Sequence, residues 1–162
     1  MSGQQSSQYL TFKLSHQCCA LPISEIREII EYPNVDPLPL TPSYVIGATE
    51  LRGSVVPIID LAQRLNVATE PANQRTCVVV LDASSKTSEL FGFKVDVVMQ
   101  VVSISDDQIE QTPEFEGVAS DIILSGLART QKGLIAVVNP QALRSLVESS
   151  VMAVSQEHYH VR

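Results

Sequence analysis

Alternation of apolar and polar residues dominates the chain and indicates strands rather than long helices. In residues 9–14 the apolar side chains Leu10, Phe12 and Leu14 share one face, which is typical of a half-buried strand. Residues 77–81 are a continuous apolar run, which predicts a strand buried on both faces. The pattern predicts further strands at residues 18–21, 45–52, 55–59, 90–95, 97–104, 122–127 and 134–138. About nine or ten short strands favour an all-β sandwich or a pair of barrels.

Helical periodicity is confined to short segments. Ser24 is a candidate N-cap for a helix over residues 25–30, whose isoleucines fall at helical spacing. A doubly wound sheet with long alternating helices is therefore not predicted. The other predicted helical segments are a turn capped by Asp60 and running through Leu65, a turn capped by Asp106 and Asp107, and a C-terminal helix that starts at Pro140 and carries Leu143, Leu146 and Val147 on its apolar face.

Prolines and polar stretches predict where the strands are interrupted. Four prolines in residues 33–42 predict an extended stretch with few paired backbone groups. Pro57 predicts that its strand lies at an edge or carries a bulge, and Gln100 marks a predicted break in another strand. Residues 66–74 are expected to form a loop between two halves of the chain, and residues 149–162 follow no clear pattern.

Composition limits the class of protein. The chain has 162 residues, of which 44% are hydrophobic and 18% charged, so it has enough apolar material for a core. Its formal net charge of −7 argues against a nucleic-acid or anionic-membrane surface, because phosphate binding needs clustered Lys and Arg. No apolar run approaches the roughly 20 residues that span a bilayer. The polar residues 1–7 are unlike a secretory signal, and we expect a cytoplasmic protein without direct membrane insertion.

Residues that carry catalysis or bind metals are sparse in this sequence. It has no nucleophile elbow, P-loop, dinucleotide fingerprint or zinc-protease motif. Cys18, Cys19 and Cys77 lack zinc or disulfide spacing and are expected to be small hydrophobic residues in strands. The acidic cluster in residues 106–116 lacks the ligand spacing of an EF-hand, and His158 and His160 lie close to the C-terminus. We expect no enzyme activity, no cofactor and no bound metal.

The most informative segment is residues 47–61, which read GATELRGSVVPIIDL. Arg52 precedes a glycine between two predicted strands. Gly53 can adopt a positive φ, which would hold Arg52 at a fixed angle. On spacing alone, the pattern favours a solvated hairpin residue at Arg52.

This segment resembles the CheW family of bacterial chemosensory coupling proteins, whose pattern reads G-x-x-N-L-R-G-x-x-x-P-[VI]-[VI]-D-L. Every fixed position matches except Glu50, which occupies the asparagine position. Val97 is a second departure, because many members carry glycine there. The resemblance covers about residues 8–148. Shorter pieces that resemble family segments in the same order lie at residues 26–29, 41–42, 91–96, 112–113 and 126–127.

The resemblance implies an all-β fold of two five-stranded SH3-like β-barrels, which are intertwined across a shared hydrophobic core and carry short helices. On this basis residues 8–148 form a single domain. Its approximate halves are residues 15–70 for the first barrel and 71–148 for the second, with strands exchanged between them. Residues 149–162 would be a C-terminal tail.

The resemblance also implies scaffolding rather than catalysis. One barrel would dock onto a CheA-type histidine kinase, and the groove between the barrels would hold the cytoplasmic tip of a methyl-accepting chemoreceptor. In the family, the residues matching Glu28 and Arg52 form an ion pair beside this groove, which we expect to be partly buried. The expected receptor-binding residues are Ile26, Glu28, Ile29, Gly47, Arg52, Gly53, Cys77 and Val98; the expected kinase-binding residues are Val55 and Ile58; and Pro57, Asp60, Leu61 and Asp96 are expected to support the motif structurally.

Other functions are still open at this point. The sequence is also compatible with an adaptor of a twitching or cyclic-dinucleotide chemosensory pathway. It is compatible with a small β-barrel that binds an unrelated peptide outside chemotaxis, or with an enzyme whose active site is diffuse. Self-association of the chain within arrays is a further open question.

Overall fold

The computed structural model describes residues 5–84, 89–110 and 123–148, which fold into two β-sheets and two short α-helices. The strands are β1 (Ser6–Leu14), β2 (Gln17–Pro22), β3 (Ile26–Glu31), β4 (Val45–Leu51), β5 (Ser54–Ile59), β6 (Cys77–Asp82), β7 (Leu90–Val95), β8 (Val97–Ser105), β9 (Ile109–Glu110), β10 (Leu124–Thr130) and β11 (Gly133–Val138). The helices are α1 (Leu61–Arg64) and α2 (Pro140–Val147), and short 3-10 turns lie at Ile23–Glu25 and Asp106–Gln108.

The two sheets exchange strands along the chain. One sheet has the order β3-β6-β7-β5-β4, and the other has the order β8-β1-β2-β11-β10-β9. The N-terminal strands therefore lie among strands from the C-terminal part, and β2 runs parallel to β11. The all-β prediction is confirmed. β6 and β7 follow residue 70 and pair with β3 and β5, so strands from the two predicted halves share one sheet.

Three apolar clusters hold the sheets together. The largest is shared by both sheets, and within it the rings of Phe12 and Phe93 lie 5.5 Å apart between centroids. Each sheet also has a smaller cluster of its own. The buried members of these smaller clusters are Val56, Ile58, Val78 and Val80 in the five-stranded sheet, and Tyr9, Ala20, Ile104, Ala128, Ile135 and Val137 in the six-stranded sheet.

Strands that lie between two clusters are buried on both faces. The prediction for β6 is confirmed, because Val78 belongs to the cluster of the five-stranded sheet and Val79 to the shared cluster. β1 was expected to be half-buried, but Tyr9 and Thr11 on its second face are also buried. The buried hydroxyl group of Thr11 is hydrogen-bonded to the backbone of β8, which satisfies this polar group in the interior.

The predicted helix over residues 25–30 is wrong, because Glu25 ends a 3-10 turn and residues 26–30 belong to β3, which pairs with β6. Ser24 lies in the preceding 3-10 turn and makes no side-chain capping bond. A β-bulge between Ile26 and Glu28 shifts the register by one residue. Ile26 and Ile29 consequently share a face of β3 although they are three residues apart, and this spacing imitates a helix.

Pro57 and Gln100 mark irregularities that differ from those predicted. Pro57 is in β5, which lies inside its sheet rather than at an edge. Pairing of β5 with β7 starts only at Ile58, so the missing proline N–H interrupts no bond to β7.

β8 is continuous through Gln100, but its register with β1 shifts there. Thr11 Oγ1 donates to the Gln100 carbonyl at 2.8 Å and accepts from the Gln100 N–H at 3.2 Å, which makes the predicted break a bulge.

The other short helices follow their predicted starts. Asp60 caps α1, and α2 begins at Pro140 with its apolar side buried against the shared cluster. The turn at Asp106–Gln108 is capped by Ser105 rather than by the two aspartates. Predictions that fall outside the described residues concern residue 122, residues 112–113 and 114–116, and the tail 149–162 with His158 and His160.

Candidate functional site

The turn between β4 and β5 fixes the direction of Arg52. Leu51 and Ser54 are paired, so Arg52 and Gly53 form a two-residue hairpin loop. Their φ angles are 53° and 82°, and a type I′ turn requires two such positive values. Gly53 adopts this conformation without steric cost, as predicted. Arg52 is held in a region that residues with a side chain rarely occupy.

Arg52 makes a bidentate ion pair with Glu28 of β3. Its Nη1 donates to Oε1, and its Nη2 donates to Oε2 at 3.0 Å. β3 and β4 lie at opposite ends of the five-strand order, so this contact requires the sheet to curl until its ends meet. A β-bridge between Asp36 and Ala48 joins the same two ends. The ion pair expected from the resemblance is therefore confirmed.

The ion pair is more exposed than expected. The side chain of Arg52 is 72% exposed, and that of Glu28 is 25% exposed. The hydrogen bonds and the charge of Glu28 raise the pKa of Arg52, which keeps the guanidinium charged. Because water screens exposed charges, the pair adds little to the stability of the fold. Its main effect is to fix the orientation of the Arg52 side chain.

Gly47 supports this site from the interior. It is buried in β4, and a Cβ placed on it would lie 2.0 Å from the carbonyl oxygen of Asp36. Asp36 and Ala48 exchange two backbone hydrogen bonds of 2.8 Å each. The missing side chain therefore lets the segment after β3 approach β4. Gly47 was expected among the receptor-binding residues, but its burial assigns it this positioning role instead.

Four apolar residues expected in the groove, Ile26, Ile29, Cys77 and Val98, are here called the apolar rim. Ile26, Cys77 and Val98 are partly buried and pack against the shared cluster. Ile29 is 41% exposed and pairs with Val79, whose side chain is in that cluster. The rim residues come from β3 and β6 of one sheet and from β8 of the other.

The two expected kinase-binding residues differ in accessibility. Val55 is 61% exposed and lies beside the turn that carries Arg52. Ile58 is fully buried in the cluster of the five-stranded sheet. A partner cannot reach the Ile58 side chain in this conformation, so the expectation is corrected for Ile58 and is kept only for Val55.

The residues expected to support the motif lie at its structural joints. Asp60 accepts a hydrogen bond of 3.3 Å from the backbone of α1. Asp96 accepts one of 2.5 Å from the N–H of Ser15, which has a positive φ in the turn between β1 and β2. Pro57 and Leu61 are buried. These four residues hold turns and strands in place and offer little surface.

An ion pair that the sequence did not predict joins α2 to the 3-10 turn before β3. Arg144 donates through Nη2 to the carboxylate of Glu25 and through Nε to the carbonyl of Asp82 at 3.0 Å. The Arg144 side chain is only 17% exposed. Its partners lie 119 and 62 residues away in sequence, so no local pattern could have signalled the contact.

Candidate catalytic groups are not assembled into a centre in the part of the chain that the structure describes. No group of three or more His, Cys, Asp or Glu side chains there is placed to hold a metal ion. Burial raises the pKa of all three thiols, and that of Cys19 to about 12, which disfavours the thiolate that a nucleophile requires. No helix within the described ranges has the length and apolar character needed to cross a bilayer.

Comparison with known proteins shows what this chain is similar to. The family model of the CheW-like domain matches residues 8–148. A probable chemotaxis protein CheW from Rhizobium etli is 30% identical over 147 residues, which cover 91% of this chain and 93% of the relative. The chemotaxis protein CheW from Klebsiella aerogenes is 30% identical over 153 residues, which cover 94% and 90%. The crystal structure of the scaffolding protein TtCheW from Thermoanaerobacter tengcongensis shares the fold, with a TM-score of 0.74 at 22% identity over 83% of this chain and 85% of that one.

Proposed function

Because the chain belongs to the family of CheW-like domains, we propose that it is a non-enzymatic scaffold that couples the cytoplasmic tip of a methyl-accepting chemoreceptor to a CheA-type histidine kinase. The observation that carries the proposal is the Arg52–Glu28 ion pair, which fixes an exposed cation to β3, the strand that also carries Ile26 and Ile29. The names of the relatives, chemotaxis and scaffolding proteins, support the same class of function.

The proposed receptor contact is a helix laid into the groove at the apolar rim. Ile29 exposes apolar surface on β3 directly after Glu28, and Val98 is the rim residue that comes from the other sheet. An amphipathic helix covers such a surface with residues spaced three and four apart. Arg52 spends two of its five N–H groups on Glu28, so the others are free to bond polar groups that flank the helix.

The proposed kinase contact uses the outer surface of the five-stranded sheet near Val55. No bond need be made or broken in this chain for it to act. It would hold the kinase and the receptor in register on the cytoplasmic side, so that a movement of the receptor changes which kinase state binds better. Coupling of this kind is a difference in binding free energy between two states.

Co-elution with the CheA-type kinase from the same genome tests the proposal. We expect the purified chain and the kinase to leave a size-exclusion column together at micromolar concentrations, and a soluble receptor-tip fragment to join them. Val55→Asp should weaken kinase binding, while Gln63→Asp, at an exposed position of α1, serves as a control. Separate elution of the chain and the kinase would contradict the proposal.

A further inference from the structure

A cleft of about 350 Å³ beside β8 is lined by three cations and no carboxylate, although the chain as a whole is acidic. We call it the basic cleft. It contains an apolar wall from β8 as well as the positive charges. Its lining residues are Lys13, Arg75, Val97, Val98, Met99, Gln100 and Lys132.

The sheet register brings these residues together from distant parts of the chain. Lys13 of β1 pairs with Val97 on one side and with Cys18 on the other. Lys132 lies in the turn between β10 and β11, and β11 runs alongside β2. Burial raises the pKa of Cys18, and the charges of Lys13 and Lys132 partly oppose this rise. Both lysines therefore lie near the Cys18 thiol.

The cations of the basic cleft form no ion pair within the described parts of the chain. Most other described Lys and Arg side chains are engaged: Arg27, Arg52, Arg129 and Arg144 with carboxylates, and Lys94 with the Glu70 carbonyl. In residues 5–84, 89–110 and 123–148, the cations whose charged groups make no such contact are Lys13, Arg64, Arg75 and Lys132. All of these except Arg64 line the basic cleft.

Two acidic residues of an adjoining cleft are hydrogen-bonded to Ser15. Glu70 and Asp96 line a neighbouring cleft that shares Lys13 and Arg75. The Glu70 carboxylate accepts from the Ser15 hydroxyl at 2.9 Å, and Asp96 accepts from the Ser15 N–H. Neither lies within ion-pair distance of a lysine or arginine in the described residues. The three cations therefore keep N–H groups for a binding partner, while the charges of Glu70 and Asp96 act on Lys13 and Arg75 from the neighbouring cleft.

Val98 connects the basic cleft to the apolar rim. It packs against the shared cluster and also lines the cleft beside Met99, which is 46% exposed. A partner helix lying on the rim would therefore pass directly beside the three cations. The mixture of apolar wall and charge suits a protein segment better than a free anion, which is usually held by converging backbone N–H groups.

We propose that the basic cleft binds carboxylate side chains that flank the apolar stripe of the receptor helix. This inference rests on the proposed function, and it adds the chemistry by which the partner is selected. Electrostatic complementarity of this kind speeds association and excludes partners that carry positive charge at the same position. An acidic chain gains specificity from a local basic surface, since the rest of it repels acidic partners.

Binding of a purified receptor-tip fragment, measured by calorimetry at several salt concentrations, tests the inference. The variants are Lys132→Glu and Arg75→Glu, both at exposed positions outside the strands. Arg64→Glu is the matched control, because it makes the same charge change away from the cleft. At low salt each cleft variant should weaken binding roughly tenfold, the loss should shrink as salt rises, and the control should change binding less than about twofold.

The outcomes separate this inference from the proposed function. If Arg52→Asp weakens binding while Lys132→Glu and Arg75→Glu bind like wild type, the inference is overturned and the proposed function stands. If the wild-type chain does not bind the fragment, both are overturned. A parallel titration with ATP adds a third result: saturable ATP binding that both cleft variants abolish would identify a small-anion site and overturn the carboxylate proposal.

Discussion

Arg52 and Glu28 connect the two ends of the five-stranded sheet through a bidentate ion pair. Because the guanidinium is planar, two nearly parallel hydrogen bonds fix an angle as well as a distance. The turn between β4 and β5 cannot rotate relative to β3 without breaking both bonds. The curled sheet therefore fixes the direction in which the exposed guanidinium of Arg52 points.

Reversing the charge of Arg52 should abolish receptor binding and leave the fold intact. Arg52→Asp sets a second carboxylate against Glu28, and aspartate tolerates the positive φ of the turn. Arg129→Asp is the matched control, because Arg129 is similarly exposed and is paired with Glu110 in the other sheet. Circular dichroism should show both variants folded, and a pull-down should show loss of the receptor-tip fragment for Arg52→Asp alone. Equal capture by the two variants would remove Arg52 from the receptor site.

A methyl group at Gly47 should be far more damaging than one at Gly53. In Gly47→Ala the new Cβ meets the Asp36 carbonyl, so the bridge to β4 must open, at a cost of roughly 2–4 kcal/mol. Gly53→Ala adds a Cβ with no atom within 4 Å, and only its positive φ opposes the change, at about 1 kcal/mol. Urea unfolding of both variants measures the difference. Similar losses would show that Gly47 is not needed for the close approach.

Loss of Arg144 should destabilise the protein although no apolar core residue is touched. Arg144→Ala leaves the Glu25 carboxylate and the Asp82 carbonyl without this partner in a poorly hydrated place. We expect the free energy of unfolding to fall by roughly 2–3 kcal/mol, against less than about 1 kcal/mol for exposed Arg129→Ala. Chemical denaturation provides the test, and an Arg144→Ala variant as stable as wild type would contradict the argument.

Burial of Cys19 should make the protein less stable in alkali. Its thiol pKa rises from 9.0 to about 12 on folding, because desolvation disfavours the thiolate. The stabilising contribution is complete below pH 9 and is lost as the pH rises towards 12, since the unfolded chain ionises first. By about pH 10 the loss from this group is about 1.4 kcal/mol. Cys19→Ala should lose that much less stability between neutral pH and about pH 10, and parallel pH profiles for the two proteins would refute the assignment.

The period-two pattern predicted most of the strands, because a strand with one buried face has alternating apolar residues and a strand with two buried faces has consecutive ones. β3 shows where this fails. Its bulge places Ile26 and Ile29 on one face, and a spacing of three residues is read as helical when the partner strand is unknown. The β-branched side chains of this segment were the stronger signal.

Which strands share a sheet could not be read from the pattern. β1 and β2 bury apolar side chains equally well beside any neighbour, and only the complete chain places them against β8 and β11. For the same reason the boundary expected after residue 70 does not coincide with the edge of a sheet.

The candidate site was predicted unevenly. The Arg52–Glu28 contact followed from the family resemblance rather than from residue spacing, and the structure confirms it. Burial of Ile58 and Gly47 could not be foreseen, because both lie in a motif whose pattern does not separate surface residues from supporting ones. The basic cleft joins residues from β1, the loop before β6 and the turn after β10, which no local window contains.

Sedimentation of the CheA-type kinase with receptor-containing membranes tests the scaffold function most directly. The kinase is mixed with the membranes alone, with added wild-type chain, and with added Arg52→Asp. The account predicts that the wild-type chain enters the pellet and greatly increases the kinase found there, and that Arg52→Asp does neither. Kinase sedimentation that is the same with and without the wild-type chain would contradict the account.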